Sequence, residues 1–343
     1  MQMKVISIAN NYGKPYDGVG AYAEAVSSRY CDSIHLGLFT GDCRPDTPPI
    51  KRITNLGMHK AFGRAMQYCR STNVDYAIVE YPFVEWNPVV IRDMEELSCV
   101  LHAHTGKLVL SVHEYERLNP IRKKVVELLA ERSDGLLVTS NDTGEALSSF
   151  CSTYKVRAIP SNIDVPDRAS TVGVRSGFVY FGIVNKAKAF KEMLTAWDSI
   201  STHDGEFSVI TASELGDIEA YHNDLLYYKG LGDEEIVQIM TSSVCCVLPI
   251  LPVVDGKNTT FATAARCGCL CIGRFCQEYA ELPFTICVDD YTPAALAEAF
   301  SRVSALSPDE ISRMSDDAFE YGKRFSADEV ARDITGWLEG ALR

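Results

Sequence analysis

Along nearly the whole of this 343-residue chain, short β-branched and apolar runs bounded by turn residues alternate with stretches of helical periodicity. Such an alternation is satisfied when the strands form a parallel sheet and the intervening helices cover both of its faces. The pattern predicts strands at Met3–Ala9, Ser33–Leu38, Tyr76–Glu80, Leu108–His113, Gly135–Thr139 and Val156–Ile159. It predicts six more at Gly177–Gly182, Phe207–Thr211, Tyr227–Lys229, Val244–Pro249, Cys269–Gly273 and Phe284–Val288. Helical stretches lie between them, as at Val19–Arg29, Gly57–Arg70 and Pro120–Arg132. The length is over twice that of a typical domain of ~150 residues, so the expectation is an α/β protein of two Rossmann-like domains.

The segment Pro160–Val174 carries two prolines, two aspartates and a glycine with little periodicity, which makes it the linker candidate. The expected domains are therefore residues 1–165 and 166–343. Near the end, Ser307, Pro308 and Glu310 supply an N-cap, a first-turn proline and a capping-box acid, so a helix is expected from there to about Lys323.

Charge narrows the partners. With 33 Lys/Arg against 46 Asp/Glu the net charge is −13, which argues against nucleic acid. Residues 1–166 hold 18 basic against 19 acidic side chains, and the remainder 15 against 27. No apolar run reaches the ~18 residues of a membrane-spanning helix. The chain also begins in a strand-like segment instead of a secretory h-region, so a cytoplasmic protein is expected. Twelve irregularly placed cysteines do not form the framework of a small secreted domain. Cys267, Cys269, Cys271 and Cys276 invite a zinc reading, but they lack paired C-x-x-C knuckles and read instead as small buried hydrophobes.

Four segments carry chemistry. In Tyr16-Asp-Gly-Val-Gly-Ala-Tyr22 the bare backbone of Gly18 and Gly20 opens a helix and can approach a phosphate. With Ala23 it also fits a dinucleotide fingerprint, to which Asp42 would add the ribose acid, although Asn10–Asp17 intervenes after the strand. His113 ends a central strand, where ligands bind in open sheets, and Glu114 beside it is the candidate to orient it. After the strand at Gly177, Gly182 is followed by Lys186, Lys188 and Lys191, cations suited to a diphosphate. Finally, Asp255-Gly-Lys-Asn-Thr-Thr leads into a short helix, where Lys257, Asn258, Thr259 and backbone N–H groups can wrap a nucleotide sugar. The bland readings are a glycine turn, a structural histidine, solvated lysines and a surface loop. A further stretch, Lys51–Arg70, holds five cations and no acid, with Met58, Phe62, Met66 and Cys69 at helical spacing. It is the candidate for peripheral contact with the inner membrane face, against a helix merely packed on one side and solvated on the other.

Taken in order, these segments resemble the GT-B nucleotide-sugar glycosyltransferases of family four over nearly the whole chain. Gly18-Val-Gly20-Ala-Tyr22 is similar to that family's glycine loop, Val112-His-Glu114 to its strand-end histidine motif, and Val138-Thr-Ser-Asn141 with Ile159-Pro-Ser-Asn-Ile-Asp164 to the segments before its linker. The spacing from Gly182 through Lys188 to Ala196-Trp197 is similar to its glycine, arginine, lysine, helix signature. Asp255 to Gly268 falls on its pattern of two glutamates separated by seven residues. Two departures stand out. Ile183 occupies the place of the usual diphosphate-binding arginine, and Thr263 that of the glutamate that holds the donor ribose.

The resemblance implies two Rossmann-like domains facing a cleft, with the last helix, about 327–343, crossing back to the N-terminal domain. It implies a metal-independent transferase with no cofactor, moving a sugar from a nucleoside diphosphate donor to a glycan, lipid-linked or small-molecule hydroxyl. Lys188 would stabilise the departing diphosphate, helped by Lys186 or Lys257 and the Gly18–Gly20 amides, and His113 would act at the reacting sugar. Asp255, Asn258, Thr259 and Thr263 complete the expected donor contacts. The alternatives are a sugar-nucleotide epimerase or hydrolase of the same fold, a non-catalytic GT-B partner subunit, and an NAD-dependent oxidoreductase.

Overall fold

The computed structural model describes residues 3–10, 18–30, 33–38, 58–82, 88–166, 175–200, 205–214 and 225–342. Tyr16 and Asp17, Asp42, residues 51–57 of the cationic stretch and residues 167–174 of the linker lie outside them. The chain divides into two compact units, residues 1–159 with 327–343, and residues 160–326. The boundary thus falls at Pro160, the first residue of the expected linker segment, and the C-terminal helix belongs to the first unit.

The first unit runs β1 (Val5–Asn10), α1 (Gly18–Ser27), β2 (Ser33–Leu38), α2 (Met58–Ser71), β3 (Tyr76–Tyr81), α3 (Pro88–His102), β4 (Lys107–Val112), α4 (Pro120–Ala130), β5 (Gly135–Val138), α5 (Asn141–Leu147) and β6 (Tyr154–Val156). The strands form one parallel sheet in the order β2-β1-β3-β4-β5-β6. Strands β3 and β5 are buried on both faces, which is why Gly135–Val138 reads as an unbroken apolar run and Tyr76–Tyr81 is interrupted only by Glu80. The connection reverses direction between β1 and β3, and in open sheets ligands bind outside the carboxyl ends of strands at such a point.

Helix α12 (Ala327–Ala341) completes this unit. Val330, Ile334 and Leu338 recur every four residues and are buried against Tyr22, Val26, Tyr76 and Leu137. The Tyr76 hydroxyl donates to the Leu338 carbonyl oxygen at 2.8 Å. Helix α2 spends its apolar stripe in the same way. Phe62, Met66 and Cys69 are core residues, and only the opposite face, with Arg64 and Arg70, meets solvent. These three side chains are therefore not a free apolar face for a membrane.

The second unit repeats the plan with β7 (Phe178–Phe181), α6 (Phe190–Ser199), β8 (Phe207–Ile210), β9 (Leu225–Tyr228), α7 (Asp233–Ser242), β10 (Cys245–Leu248), α8 (Thr259–Arg266), β11 (Leu270–Gly273), α9 (Gln277–Ala280), β12 (Thr285–Cys287), α10 (Pro293–Ser304) and α11 (Pro308–Gly322). Its parallel sheet runs β12-β11-β10-β7-β8-β9, the Rossmann order, with the reversal between β7 and β10. The expected capping box closes α11, with Ser307 and Glu310 each bonding the other's backbone N–H. An aromatic cluster of Phe178, Trp197, Phe207 and Phe300 in edge-to-face contacts packs α6 and α10 on the sheet. Cys267, Cys269 and Cys271 are fully buried, and burial holds the thiols of Cys267 and Cys271 well above their ordinary range. Among the described residues no helix is long and apolar enough to cross a membrane.

Candidate functional site

In the second unit, the carboxyl ends of β7 and β10 carry the two loops that the sequence singled out. Gly182 follows β7 with φ +134°, a conformation that favours glycine. A Cβ there would lie 3.4 Å from the Thr260 hydroxyl, an ordinary contact, so the backbone conformation and not crowding calls for glycine. The chain then runs through Ile183, 56% exposed, to Lys186, also exposed, and to Lys188. Lys188 forms an isolated antiparallel bridge with Ile250, and the Ala189 N–H donates to the Pro249 carbonyl oxygen at 2.8 Å. The loop after β7 is therefore fastened to the loop after β10.

Burial lowers the Lys188 ammonium below the usual lysine range, opposed only by the neighbouring Cys246 thiol. No carboxylate among the described residues pairs with it. A partly desolvated cation without an internal counter-ion favours an anionic ligand.

The loop before α8 is built by its own polar side chains. Asp255 accepts from the Lys257 N–H at 3.0 Å, and the Asn258 N–H donates to the Asp255 carbonyl oxygen at 3.0 Å. Asn258 caps α8 by accepting from the Phe261 N–H at 3.1 Å. These two side chains shape the loop. Lys257, Thr259 and Thr260 are half-exposed in the loop and at the helix start, whose orphan N–H groups give it a partial positive charge.

Thr263 is placed differently from the ribose contact expected of it. Its side chain is fully buried, with its hydroxyl 2.8 Å from Asn162 Oδ1 and 2.9 Å from both the Thr259 carbonyl oxygen and Ser161 Oγ. One proton and one oxygen are thus spent on holding α8 to segment 161–163, and no face of the residue is open to a sugar. Arg266 on the same helix bonds the Val165 carbonyl oxygen and serves the same attachment. Thr263→Glu is accordingly expected to lower stability by at least about 2 kcal/mol, through overpacking and burial of a carboxylate. Urea unfolding checks this, and a wild-type midpoint would mean that the side chain has a solvent face after all.

In the first unit, Gly18 is exposed at the start of α1 and Gly20 is buried beneath it. A Cβ at Gly18 would meet nothing within 4 Å, so packing alone does not demand glycine there. His113 follows β4 and is 8% exposed. Glu114, the residue expected to orient it, is exposed and makes no hydrogen bond to the ring, which sits at a bend just past the end of β4.

The residues that do hold His113 come from elsewhere. Its Nε2 lies 2.8 Å from Glu80 Oε2 and 3.0 Å from Arg157 Nη2. Arg157, just past β6, also donates to Ser111 Oγ at 3.1 Å, and its guanidinium lies 4.0 Å from the Tyr22 ring centre. Tyr22 meets the His113 ring edge-to-face at 4.7 Å. Glu80 and Arg157 are each 2% exposed. Burial holds the Tyr22 phenol well above its ordinary range, with Arg157 opposing. For Glu80 the sequence signal is a lone acid in an apolar strand, whereas Arg157, two residues after Lys155, carries none.

No family model matches the chain, and no curated protein matches it in sequence. Solved structures do match. The glycosyltransferase from Rickettsia africae ESF-5 superposes with a TM-score of 0.71 at 12% identity, covering 100% of this chain and 99% of that one. The alpha,alpha-trehalose 6-phosphate synthase from Burkholderia multivorans gives 0.64 at 11%, covering 99% of each. An alpha-glucosyltransferase in complex with UDP-glucose and DNA containing an abasic site gives 0.64 at 11%, with 99% and 100% covered. At these identities the likeness is one of fold, and that fold is GT-B, with two Rossmann-like units.

Proposed function

We propose that the chain is a glycosyltransferase that moves a sugar from a nucleoside diphosphate donor to a hydroxyl acceptor, with the diphosphate held by the unit of residues 160–326. The observation that carries this reading is Lys188, a partly desolvated ammonium without a carboxylate partner among the described residues, where the loops after β7 and β10 meet. In the transfer, the acceptor hydroxyl oxygen bonds the anomeric carbon as the bond from that carbon to the diphosphate oxygen breaks, and the hydroxyl proton passes to the departing diphosphate or to water. Negative charge then builds on the departing diphosphate. Lys188, the exposed Lys186 and the N–H groups that open α8 meet that charge, supplying the electrostatic role that a metal ion plays in other transferases. His113 acts at the reacting sugar. The acidic net charge favours a glycan, lipid-linked or small-molecule acceptor over a nucleic acid.

Thermal shift against UDP, GDP, UDP-sugars, GDP-sugars and NAD tests the class, since only a ligand that binds the folded state raises Tm. A rise with a nucleoside diphosphate or its sugar, and none with NAD, is the expected result. A rise with NAD alone would make the chain an oxidoreductase, and no rise at all would favour a non-catalytic GT-B subunit.

A further inference from the structure

At the amino end of the second sheet, opposite the loops after β7 and β10, lies a cleft of about 640 Å³. Small-molecule sites span ~300–1,000 Å³, so the size is that of a ligand pocket. The starts of β7 and β10, the end of α10 and the first half of α11 bound it, all in the unit of residues 160–326. Phe178, Val244, Val303, Leu306 and Ile311 give it largely apolar walls.

Arg175 stands in these walls without a counter-ion. Its Nη1 donates to the Ser243 carbonyl oxygen at 3.0 Å and its Nη2 to the Cys267 carbonyl oxygen at 2.7 Å. Both acceptors are neutral, and no carboxylate among the described residues pairs with the guanidinium. The nearby thiols do not supply the missing charge. Burial holds Cys267 well above the ordinary thiol range and pushes Cys269 up to about 11, with Arg175 opposing in both, so both are neutral near pH 7. Two polar atoms of the same walls are also unsatisfied. Arg175 Nε makes no hydrogen bond within the protein, and neither does the Oγ of Ser315, a residue 2% exposed. The two residues meet over Gly268. A Cβ there would lie 2.6 Å from Arg175 Nη2 and 3.2 Å from the Ser315 carbonyl oxygen. Buried polar atoms left without partners are costly, and here they stand beside an unpaired cation.

We infer that this cleft binds a small amphipathic carboxylate, its anionic head at Arg175 and Ser315 and its apolar body against Phe178, Val303, Leu306 and Ile311. The guanidinium and a hydroxyl suit the planar head of a carboxylate. A single cation suits a monoanion, because a second charge on the head would face apolar walls. The site lies at the far end of the sheet from Lys188 and does not depend on sugar transfer.

Titration calorimetry of octanoate into the full chain tests it, with octanol as the uncharged ligand of the same length. The expected result is saturable octanoate binding by the wild type, with octanol at least about tenfold weaker. Arg175→Gln should weaken octanoate about tenfold or more. Ser312 is an exposed residue of α11 at the cleft, so Ser312→Trp sets an indole in it without touching Arg175, and should abolish binding at an unchanged Tm. If Arg175→Gln does not fold, having lost its carbonyl bonds, octanol against octanoate in the wild type still reads the charge. No octanoate binding by the wild type, equal affinity for octanol, or wild-type affinity in either folded variant overturns the inference. A chain that binds octanoate but no nucleotide would sink the proposed function and leave this site standing.

Discussion

Replacing Lys188 by alanine is expected to lower kcat/KM for the sugar donor at least ~100-fold, about 2.7 kcal/mol of lost transition-state stabilisation. The size follows from how few cations the loop offers. Ile183, an exposed apolar side chain, stands where the resembled family usually places an arginine, and Lys186 is exposed. A solvated ammonium is screened and contributes less to a developing charge than one already partly stripped of water. Burial holds the Lys188 ammonium below the usual lysine range, so its loss should fall on the departing diphosphate and not on folding. The double variant with Lys186→Ala should lose more. Donor hydrolysis or transfer measured with Tm as the folding control checks this, and wild-type kinetics in Lys188→Ala would remove the diphosphate from this loop.

His113→Ala is expected to reduce kcat at least ~100-fold while leaving nucleotide affinity within a few-fold. The histidine belongs to the first unit and to a cluster of Glu80, Arg157 and Tyr22, whereas the groups proposed to hold the diphosphate belong to the second. Removing the ring leaves the buried Glu80 and Arg157 without one partner each, so the folded state should survive with a lowered Tm. Calorimetry on the nucleotide beside single-turnover kinetics separates the two effects. Losses of stability and turnover in step, with the surviving folded fraction fully active, would reduce His113 to a structural residue.

The fold was legible because each strand carries its own signal. Buried parallel strands are short apolar runs, and all twelve expected runs overlap an observed strand. The largest displacement is at the sixth, expected at Val156–Ile159 and found at Tyr154–Val156, where pairing with Leu136–Val138 overrides the β-branched composition. The last helix was placed by resemblance, and its four-residue apolar period explains why it seats on a sheet.

The site was legible only where its chemistry is local. The glycine and lysines after β7 sit within seven residues of one another, and the histidine sits at a strand end. The partners of His113 were not, since Glu80 and Arg157 are 77 residues apart and meet only once the strand order is known. Thr263 failed for another reason. In α8 every residue from Phe261 to Arg266 is buried, so no amphipathic period reveals which side faces a ligand and which faces segment 161–163.

The central claim is that the loops after β7 and β10 hold a nucleoside diphosphate through Lys188. Titration calorimetry of UDP and of GDP into the wild type and Lys188→Ala, near neutral pH and with melting temperatures recorded for both, tests it most directly. The account predicts saturable binding of at least one nucleotide by the wild type, weakened about tenfold or more in Lys188→Ala at an unchanged Tm. Binding of neither nucleotide by the wild type, or equal affinity in the variant, would contradict it.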